Sequence, residues 1–280
     1  MSAYDPAEVR RLFAEEARAE RPDLAALCLL VGAAADPELG EAGVDAAQAE
    51  LDRLAGELPY RPGGARAWAL ALEELLGGRY GFRGSGADYQ RLESSLLHQV
   101  LLRRRGLPIL LSVVWVEVAR RAGAPVYGVA LPGHFVVGFG PPEDLERQVL
   151  VDPFDGGRVL SADDAELLVA GAGAARLEPS MLVPAEPLSV VMRILNNIRS
   201  WAAARPERSD VGLWAVELSL LVPSHPARLR YEKGALLVQR GDFLGGAAEL
   251  EEYASLVEVV DEPAAARVRR EAHAARAMLN

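Results

Sequence analysis

The chain has 280 residues, half of them hydrophobic, which is enough for one large domain or two modest ones and makes long disordered stretches unexpected. Its formal charge of −10 argues against nucleic acid, and more weakly against an anionic membrane surface, as the partner. The single cysteine, Cys28, excludes an internal disulfide and a cysteine zinc cluster. The first ten residues lack a signal-peptide pattern, and no apolar run reaches the roughly 20 residues of a membrane span, so we expect a cytoplasmic protein.

The first third of the chain is predicted to be helical. Apolar residues recur at helical spacing in residues 9–20, 23–34, 44–58 and 66–76, and Gly77-Gly78 is the expected end of the fourth helix. A glycine-rich loop over residues 80–86 does not match a phosphate loop, because no Gly-Lys-Ser/Thr follows it. A fifth helix is predicted over residues 92–105, with Gly106 ending it.

The pattern changes from helix to strand in the middle of the chain. Residues 109–121 are apolar on almost every side, which predicts a helix buried in the middle of a domain. Short segments rich in β-branched or aromatic residues follow this helix, as is typical of strands, at residues 126–131, 135–139, 148–151 and 158–160. After them, Ser161 is a suitable N-cap for another short helix.

Three prolines between residues 179 and 187 predict a domain boundary. Residues 229–235 and 241–247 beyond it resemble tetratricopeptide-type spacing, in which a small residue marks a close helix crossing. One or two such units fit, fewer than the three or so that a free-standing array needs. The pattern there is wholly helical, with helices expected over residues 188–204, 211–221, 227–240, 243–259 and 264–279.

His134 and Asp152 are the candidates for chemistry. His134 follows a Pro132-Gly133 turn and precedes an apolar strand, and Asp152 follows the next strand. In such a pair the imidazole moves a proton, while the carboxylate fixes its tautomer and stabilises its charged form. Their contact depends on strand register, because a slip of one residue reverses a side chain.

A nucleophile that would complete this pair is not evident. Ser112 is the only hydroxyl on the central helix and lies about one turn inside it, so a serine tolerated in a packed helix is the simpler interpretation. Cys28 lies among leucines and is more simply a small buried hydrophobe than a displaced nucleophile. The four histidines show no metal-ligand spacing, so neither a metal nor another cofactor is expected.

Two groups of polar residues are weaker candidates. Arg105 ends a run of three arginines, which is either a solvated helix end or the edge of a site for an anionic group. Arg193, with Asn196 and Asn197, lies on an otherwise apolar helix. We favour hydrogen bonding between domains for these three, with a position facing the cleft as the alternative.

Six short motifs in order resemble the SirB-type transglutaminase-like family, over roughly residues 24–255. The motifs are residues 95–101, 104–109 (Arg-Arg-Gly-Leu-Pro-Ile), 118–123, 131–135 (Leu-Pro-Gly-His-Phe), 151–157 (Val-Asp-Pro-Phe-Asp-Gly-Gly) and 193–198 (Arg-Ile-Leu-Asn-Asn-Ile). The resemblance implies an α+β fold: a papain/transglutaminase-like core with a small antiparallel sheet, a helical N-terminal region and an all-helical tetratricopeptide-like C-terminal region. We divide the chain accordingly into residues 1–78, 79–178 and 188–280.

In active transglutaminase-like enzymes, a cysteine at the start of the central helix pairs with a histidine and an aspartate on adjacent strands. His134 and Asp152 match the second and third members. The cysteine would fall at residues 107–110, where this chain has Leu-Pro-Ile-Leu. SirB-type members share that departure, so the resemblance implies a site without the residue that carries covalent chemistry.

Two functions therefore stay open. The preferred one is a non-catalytic protein that binds a peptide or protein partner and keeps a residual His–Asp pair. The alternative is a hydrolase or amide-processing enzyme that uses His134 and Asp152 with water or Ser112. The sequence does not predict the oligomeric state. Binding candidates beside the pair are Arg105, Pro132, Gly133 and Phe154.

Overall fold

The computed structural model describes residues 4–59, 63–173 and 176–278. The chain divides into two compact units: unit 1 comprises residues 1–9 and 21–194, and unit 2 comprises residues 10–20 and 195–280. The predicted division into three regions stays a prediction. It was defined by the expected role of each region, whereas the compact units are defined by packing alone. Within the described ranges, none of the helices has both the length and the apolar character that crossing a membrane requires.

The N-terminal part of the chain is helical, as predicted, with α1 (Pro6–Ala17), α2 (Leu24–Ala35), α3 (Gly40–Gly56) and α4 (Ala65–Leu72). Asp23 caps α2, because its carboxylate accepts a hydrogen bond from the backbone N–H of Ala26 at 2.9 Å. The apolar repeat of the sequence therefore located these helices to within a few residues.

The fourth helix does not end at Gly77-Gly78. The chain continues from α4 into a π-helical turn, Glu73–Arg79. A Cβ at Gly77 would overlap the carbonyl oxygen of Gly156. Glycine is needed here for the close approach of two backbones, and not to stop the helix.

The predicted helix over residues 92–105 is wrong at its start. Leu92–Ser95 forms a short 3₁₀ turn, Leu96 is extended, and α5 covers only Leu97–Arg103. At this break the carbonyl of Ser94 accepts the backbone N–H of Leu107 at 2.9 Å, which ties the turn to the start of the next helix.

The end of this helix also differs from the prediction. Arg104 takes the left-handed conformation that ends α5, with φ 57°, a position usually given to glycine. Gly106 has a different reason to be glycine, since a Cβ there would lie 2.7 Å from Cγ2 of Val100.

The sheet and the buried helix are confirmed. The central helix α6 (Pro108–Arg121) has Trp115 fully buried, and it packs on the first two strands of the sheet. The sheet is antiparallel throughout, in the order β1 (Val126–Val129), β2 (Val136–Phe139), β3 (Val149–Asp152) and β4 (Arg158–Val159).

Unit 1 continues through α7 (Ala162–Gly171) into the first residues of α8 (Pro187–Ala203). Ser161 caps α7 as predicted, accepting the backbone N–H of Asp164 at 3.1 Å. Before α8 the chain runs beside β1, where the N–H of Ala185 donates to the carbonyl of Gly128 at 2.8 Å.

Unit 2 ends in four consecutive helices: α9 (Ser209–Leu221), α10 (Arg228–Gln239), α11 (Phe243–Val257) and α12 (Glu262–Ala277). Each of them packs against the next. The predicted close crossing is confirmed, because a Cβ at Gly234 of α10 would lie 3.0 Å from the carbonyl oxygen of Gly246 of α11. The predicted last residue of the final helix, Leu279, lies outside the described residues.

Candidate functional site

The structure brings His134 and Asp152 into contact. Val137 of β2 pairs with Val151 of β3, so the residues that precede β2 and those that end β3 lie at the same edge of the sheet. The Nε2 atom of His134 is 3.0 Å from Oδ2 of Asp152. Strand register, which the sequence could not determine, thus places both side chains on one face.

Asp152 is held by more than the histidine. Its Oδ1 accepts the backbone N–H of Phe154 at 2.9 Å, which caps the 3₁₀ turn Pro153–Asp155. The carboxylate is buried, with 7% of its side chain exposed, whereas 12% of the His134 side chain is exposed. Because a carboxylate accepts hydrogen bonds, Nε2 of His134 carries the proton and Nδ1 is the acceptor of the neutral ring. Nδ1 makes no hydrogen bond with any of the described residues.

An aromatic wall lies beside the pair. The ring of Phe154 meets His134 edge to face, with centroids 6.0 Å apart, and it also meets Tyr89 at 6.2 Å. Gly84 supports Phe154 from behind: its N–H donates to the Phe154 carbonyl at 2.9 Å, and a Cβ at Gly84 would overlap the ring. The predicted binding residue Phe154 is therefore a neighbour of His134.

Arg193 holds the turn that carries His134. Its guanidinium donates to the carbonyl oxygen of Leu131 at 3.0 Å and to that of His134 at 2.7 Å, and it lies over the ring of Phe135 at 5.7 Å. These bonds join two of the three predicted regions, yet Arg193 and His134 belong to the same compact unit. Arg193 therefore fixes the backbone around the candidate site.

Tyr89 lies within the electrostatic field of this site. Burial raises the pKa of its phenol, the charge of Asp152 raises that pKa further, and the charge of Arg193 lowers it. Burial also lowers the pKa of Arg193, which the Tyr89 phenol partly offsets. With its raised pKa, the Tyr89 hydroxyl stays protonated at neutral pH and can donate a hydrogen bond to a ligand.

The start of α6 presents no nucleophile. Leu107, Pro108, Ile109 and Leu110 are all buried. Ser112 is fully buried as well, and its hydroxyl donates to the carbonyl oxygen of Phe135 at 3.2 Å. A catalytic role for Ser112 stays a prediction, with this hydrogen bond already using its proton.

Cys28 lies on α2 and is 2% exposed. Burial raises the pKa of its thiol, and the charges of Glu117 and Asp23 raise it further. The thiolate, which is the nucleophilic form, is thus disfavoured.

The other predicted binding residues have different surroundings. Arg105 is partly exposed, and its guanidinium is paired with the buried Asp88 at 3.3 Å. Pro132 and Gly133 form the turn before His134, where Gly133 adopts φ 66° and is exposed. Among the described residues, no three His, Cys, Asp or Glu side chains gather as a metal site would require.

Sequence reasoning did not select Tyr89. It lies in a 3₁₀ turn, Gly86–Gln90, where no helical or strand periodicity marks a residue as facing a site. Its neighbour Asp88 is buried and holds Arg105, Ser85 and Ser94, so the turn is fixed by side-chain hydrogen bonds. An aromatic residue beside the glycine-rich loop was the only available signal.

The fold and the His–Asp geometry define a transglutaminase-like protein, and sequence comparison agrees. Residues 45–196 match the transglutaminase-like superfamily, and residues 198–280 match the tetratricopeptide repeat. A UPF0162 protein of Xylella fastidiosa is 34% identical over 197 residues, covering 68% of this chain and 69% of that protein. The chain therefore belongs to the transglutaminase-like superfamily and, within it, to the family of UPF0162 proteins.

More distant similarity extends to other proteins. Human F-box only protein 21 is 31% identical over 104 residues, which cover 35% of this chain and 17% of that protein. The crystal structure of menin, which reveals the binding site for the Mixed Lineage Leukemia (MLL) protein, matches 91% of this chain and 71% of the menin chain. Its TM-score of 0.44 and identity of 13% are too low to carry an argument about this protein.

Proposed function

We propose that this chain is a SirB-type cytoplasmic protein whose transglutaminase-like core binds a peptide or protein partner without catalysing a reaction. Residues 79–178 supply the core in this proposal, residues 1–78 the N-terminal helices and residues 188–280 further surface for the partner. The tetratricopeptide match supports a role in protein interaction.

The observation that carries the proposal is the buried, apolar start of α6. Covalent catalysis of the transglutaminase type would need a thiol there, where helix N–H groups and the dipole lower its pKa and bind an oxyanion. Pro108 lacks an N–H group, and its neighbours Ile109 and Leu110 are 2% and 0% exposed. These side chains pack in the core and provide no reactive group.

The retained pair then acts in recognition. Nδ1 of His134 accepts a hydrogen bond from a ligand N–H, while Asp152 holds the ring in place through Nε2. Tyr89 supplies a donor for a ligand carbonyl, and Phe154 a flat apolar contact. A peptide segment offers all three partners: an amide N–H, a carbonyl oxygen and an apolar side chain.

A test begins with peptides selected from a random heptapeptide library on the full chain. We expect His134→Ala to weaken the affinity of some selected peptides about tenfold, the scale of one lost hydrogen bond to a well-placed partner. His273→Ala, on an exposed residue of α12, is the control and leaves affinity unchanged. Mass spectrometry should recover these peptides intact. Cleaved or modified peptides, or peptides that never depend on His134, would contradict the proposal.

The 3.0 Å contact of His134 with Asp152 favours one alternative, a hydrolase or amide-processing enzyme. In that reaction Nδ1 takes a proton from water as the water oxygen attacks a carbonyl carbon. The proton then passes to the leaving nitrogen or oxygen, and Asp152 stabilises the imidazolium between the two steps.

Turnover of amide and ester substrates tests this alternative. It requires that His134→Ala abolish turnover, with Asp152→Asn strongly reducing it. Ser112→Ala separates water from serine as the nucleophile, because only a serine mechanism loses activity. Turnover that survives in His134→Ala rules the alternative out.

A further inference from the structure

Unit 2 contains a cavity among α8, α9 and α10 that the site of unit 1 does not involve. Its volume is about 530 Å³, within the range of roughly 300–1,000 Å³ typical of sites for organic ligands. Its floor, as we call the buried part of the lining, is made of the small or apolar residues Ala202, Gly212 and Val216. An inorganic ion alone would leave most of this volume unfilled.

The charged groups that line the cavity are two arginines, Arg199 and Arg228, and one glutamate. Arg199 is largely buried, with 15% of its side chain exposed, and one terminal nitrogen, Nη1, donates to Glu232. Another terminal nitrogen of Arg199 donates to Oδ1 of Asn196, which leaves the Asn196 amide N–H groups as donors. Arg228 adds an exposed guanidinium at the rim.

Glu232 is the only carboxylate that lines this cavity within the described part of the chain, and it is already engaged. It accepts from Arg199 and lies 3.9 Å from Arg228. One carboxylate therefore faces two guanidinium groups. In a chain with a formal charge of −10, this leaves a local excess of positive charge.

We propose that this cavity binds a short acidic peptide segment, with a carboxylate on the donors of Arg199, Asn196 and Arg228 and an adjacent apolar side chain on the floor. Charge complementarity selects the acidic residue, because guanidinium and carboxylate form charge-assisted hydrogen bonds. The small residues of the floor select the apolar neighbour. This site lies in unit 2 and does not depend on His134.

The test selects random heptapeptides on the full chain and sorts them by their response to variants. We expect a class enriched in Asp or Glu whose affinity falls at least about tenfold in Arg199→Met, which keeps the aliphatic packing and removes the donors. Replacing Asp and Glu by Asn and Gln in the same peptides should abolish binding. Arg228→Met, at the exposed rim, should weaken it less.

A change of opposite sign separates this role from a structural one. Glu232→Gln removes the competing charge, so the same peptides should bind at least about threefold more tightly, the scale of a partly exposed ion pair. Arg230→Met is the matched control: it lies on the same helix but pairs with Glu249 and Glu252 outside the cavity, so affinity should not change.

Several results overturn the inference: no acidic peptides selected, selected peptides that bind Arg199→Met unchanged, or weaker binding in Glu232→Gln. Thermal unfolding of each variant shows whether it folds. If Arg199→Met does not fold, the affinities of Arg228→Met and Glu232→Gln still test the inference. His134→Ala should leave this class of peptides unaffected, so failure here and failure of the function proposed for unit 1 are distinguishable.

Discussion

In active transglutaminase-like enzymes the catalytic groups lie at the start of the central helix and on adjacent strands. The corresponding places in this chain, the start of α6 and the edge where β2 and β3 meet, differ from each other. At the start of α6, Ile109 and Leu110 are buried with the core. At the sheet edge, His134 and Asp152 keep a 3.0 Å contact, supported by Phe154 and Arg193. The candidate site therefore has a polar half and an apolar half.

Physical chemistry explains why the two halves change independently. An apolar residue at a buried helix start adds favourable burial and leaves no polar group without a partner. The Asp152 carboxylate is buried and bonds to His134 and to the N–H of Phe154. Loss of either bond would leave one oxygen of a buried charged group without its hydrogen-bond partner, which lowers the free energy of unfolding. An apolar side chain at the start of α6 therefore fits the core without a polar partner, whereas each member of the His–Asp pair depends on the other for a hydrogen bond.

Substitutions in the apolar half should have the largest effect on stability. Leu110→Ala should lower the free energy of unfolding by about 2–5 kcal/mol, because it removes a fully buried side chain and leaves a cavity. Urea denaturation measures the change. Leu102→Ala, at an exposed position on α5, is the control and should cost far less. Equal costs at the two positions would mean that the start of α6 is not a packed region.

The polar half should respond more weakly. Asp152→Ala should cost about 1–3 kcal/mol of unfolding free energy, because it leaves His134 and the N–H of Phe154 without their shared acceptor. Asp155→Ala changes an exposed carboxylate in the next turn and should stay within about 0.5 kcal/mol of the original chain. A negligible cost at Asp152 would argue that the pair is not structurally supported.

His98 tests what a buried histidine does without a partner. Both ring nitrogens are buried and unpaired among the described residues, and Oδ2 of Asp36 lies 4.0 Å from Nε2. Burial lowers the pKa of His98 from its ordinary 6.5, and Asp36 partly offsets this shift. The unfolded chain then binds a proton that the folded chain rejects, so stability present above pH 6.5 is lost as the pH falls below it.

His98→Asn should flatten this part of the curve of stability against pH, with a smaller effect than that of Asp152→Ala at neutral pH. Unfolding free energies between pH 5 and pH 8 provide the measurement. His273→Asn, at an exposed site, should keep the original dependence. A His98→Asn chain with unchanged pH dependence would assign the effect to another group.

The smallest expected effect concerns Cys28. Because burial raises the pKa of its thiol, iodoacetamide should alkylate the folded chain at pH 8 much more slowly than the denatured chain. Mass spectrometry follows the labelling over time. Rapid alkylation of the folded chain would reopen Cys28 as a displaced nucleophile.

Particular elements show where sequence reasoning works. The apolar surface of α6, the β-branched strands and the cap at Ser161 depend on neighbours within a few residues, and they were predicted correctly. The break at Leu96 and the left-handed Arg104 were missed. The Ser94–Leu107 hydrogen bond beside the break joins residues that local periodicity does not relate, and Arg104 stands at a helix end where glycine is usual. Two glycines misled the prediction of helix ends. Gly77 and Gly106 were interpreted as helix stops, whereas in the structure they allow close packing.

The sequence by itself determined the α+β class, the order of the elements, the His134 and Asp152 candidates and the lack of a cysteine at residues 107–110. The order of the elements follows from periodicity along the chain, whereas the α+β class and the significance of residues 107–110 came from the resemblance of its motifs to a known family. Only the tertiary structure decided that the two side chains touch, that Arg193 holds the His134 turn, and that Tyr89 lies beside them. Such contacts join residues 18 to about 100 positions apart, and strand register and packing set their distances, which no local pattern encodes.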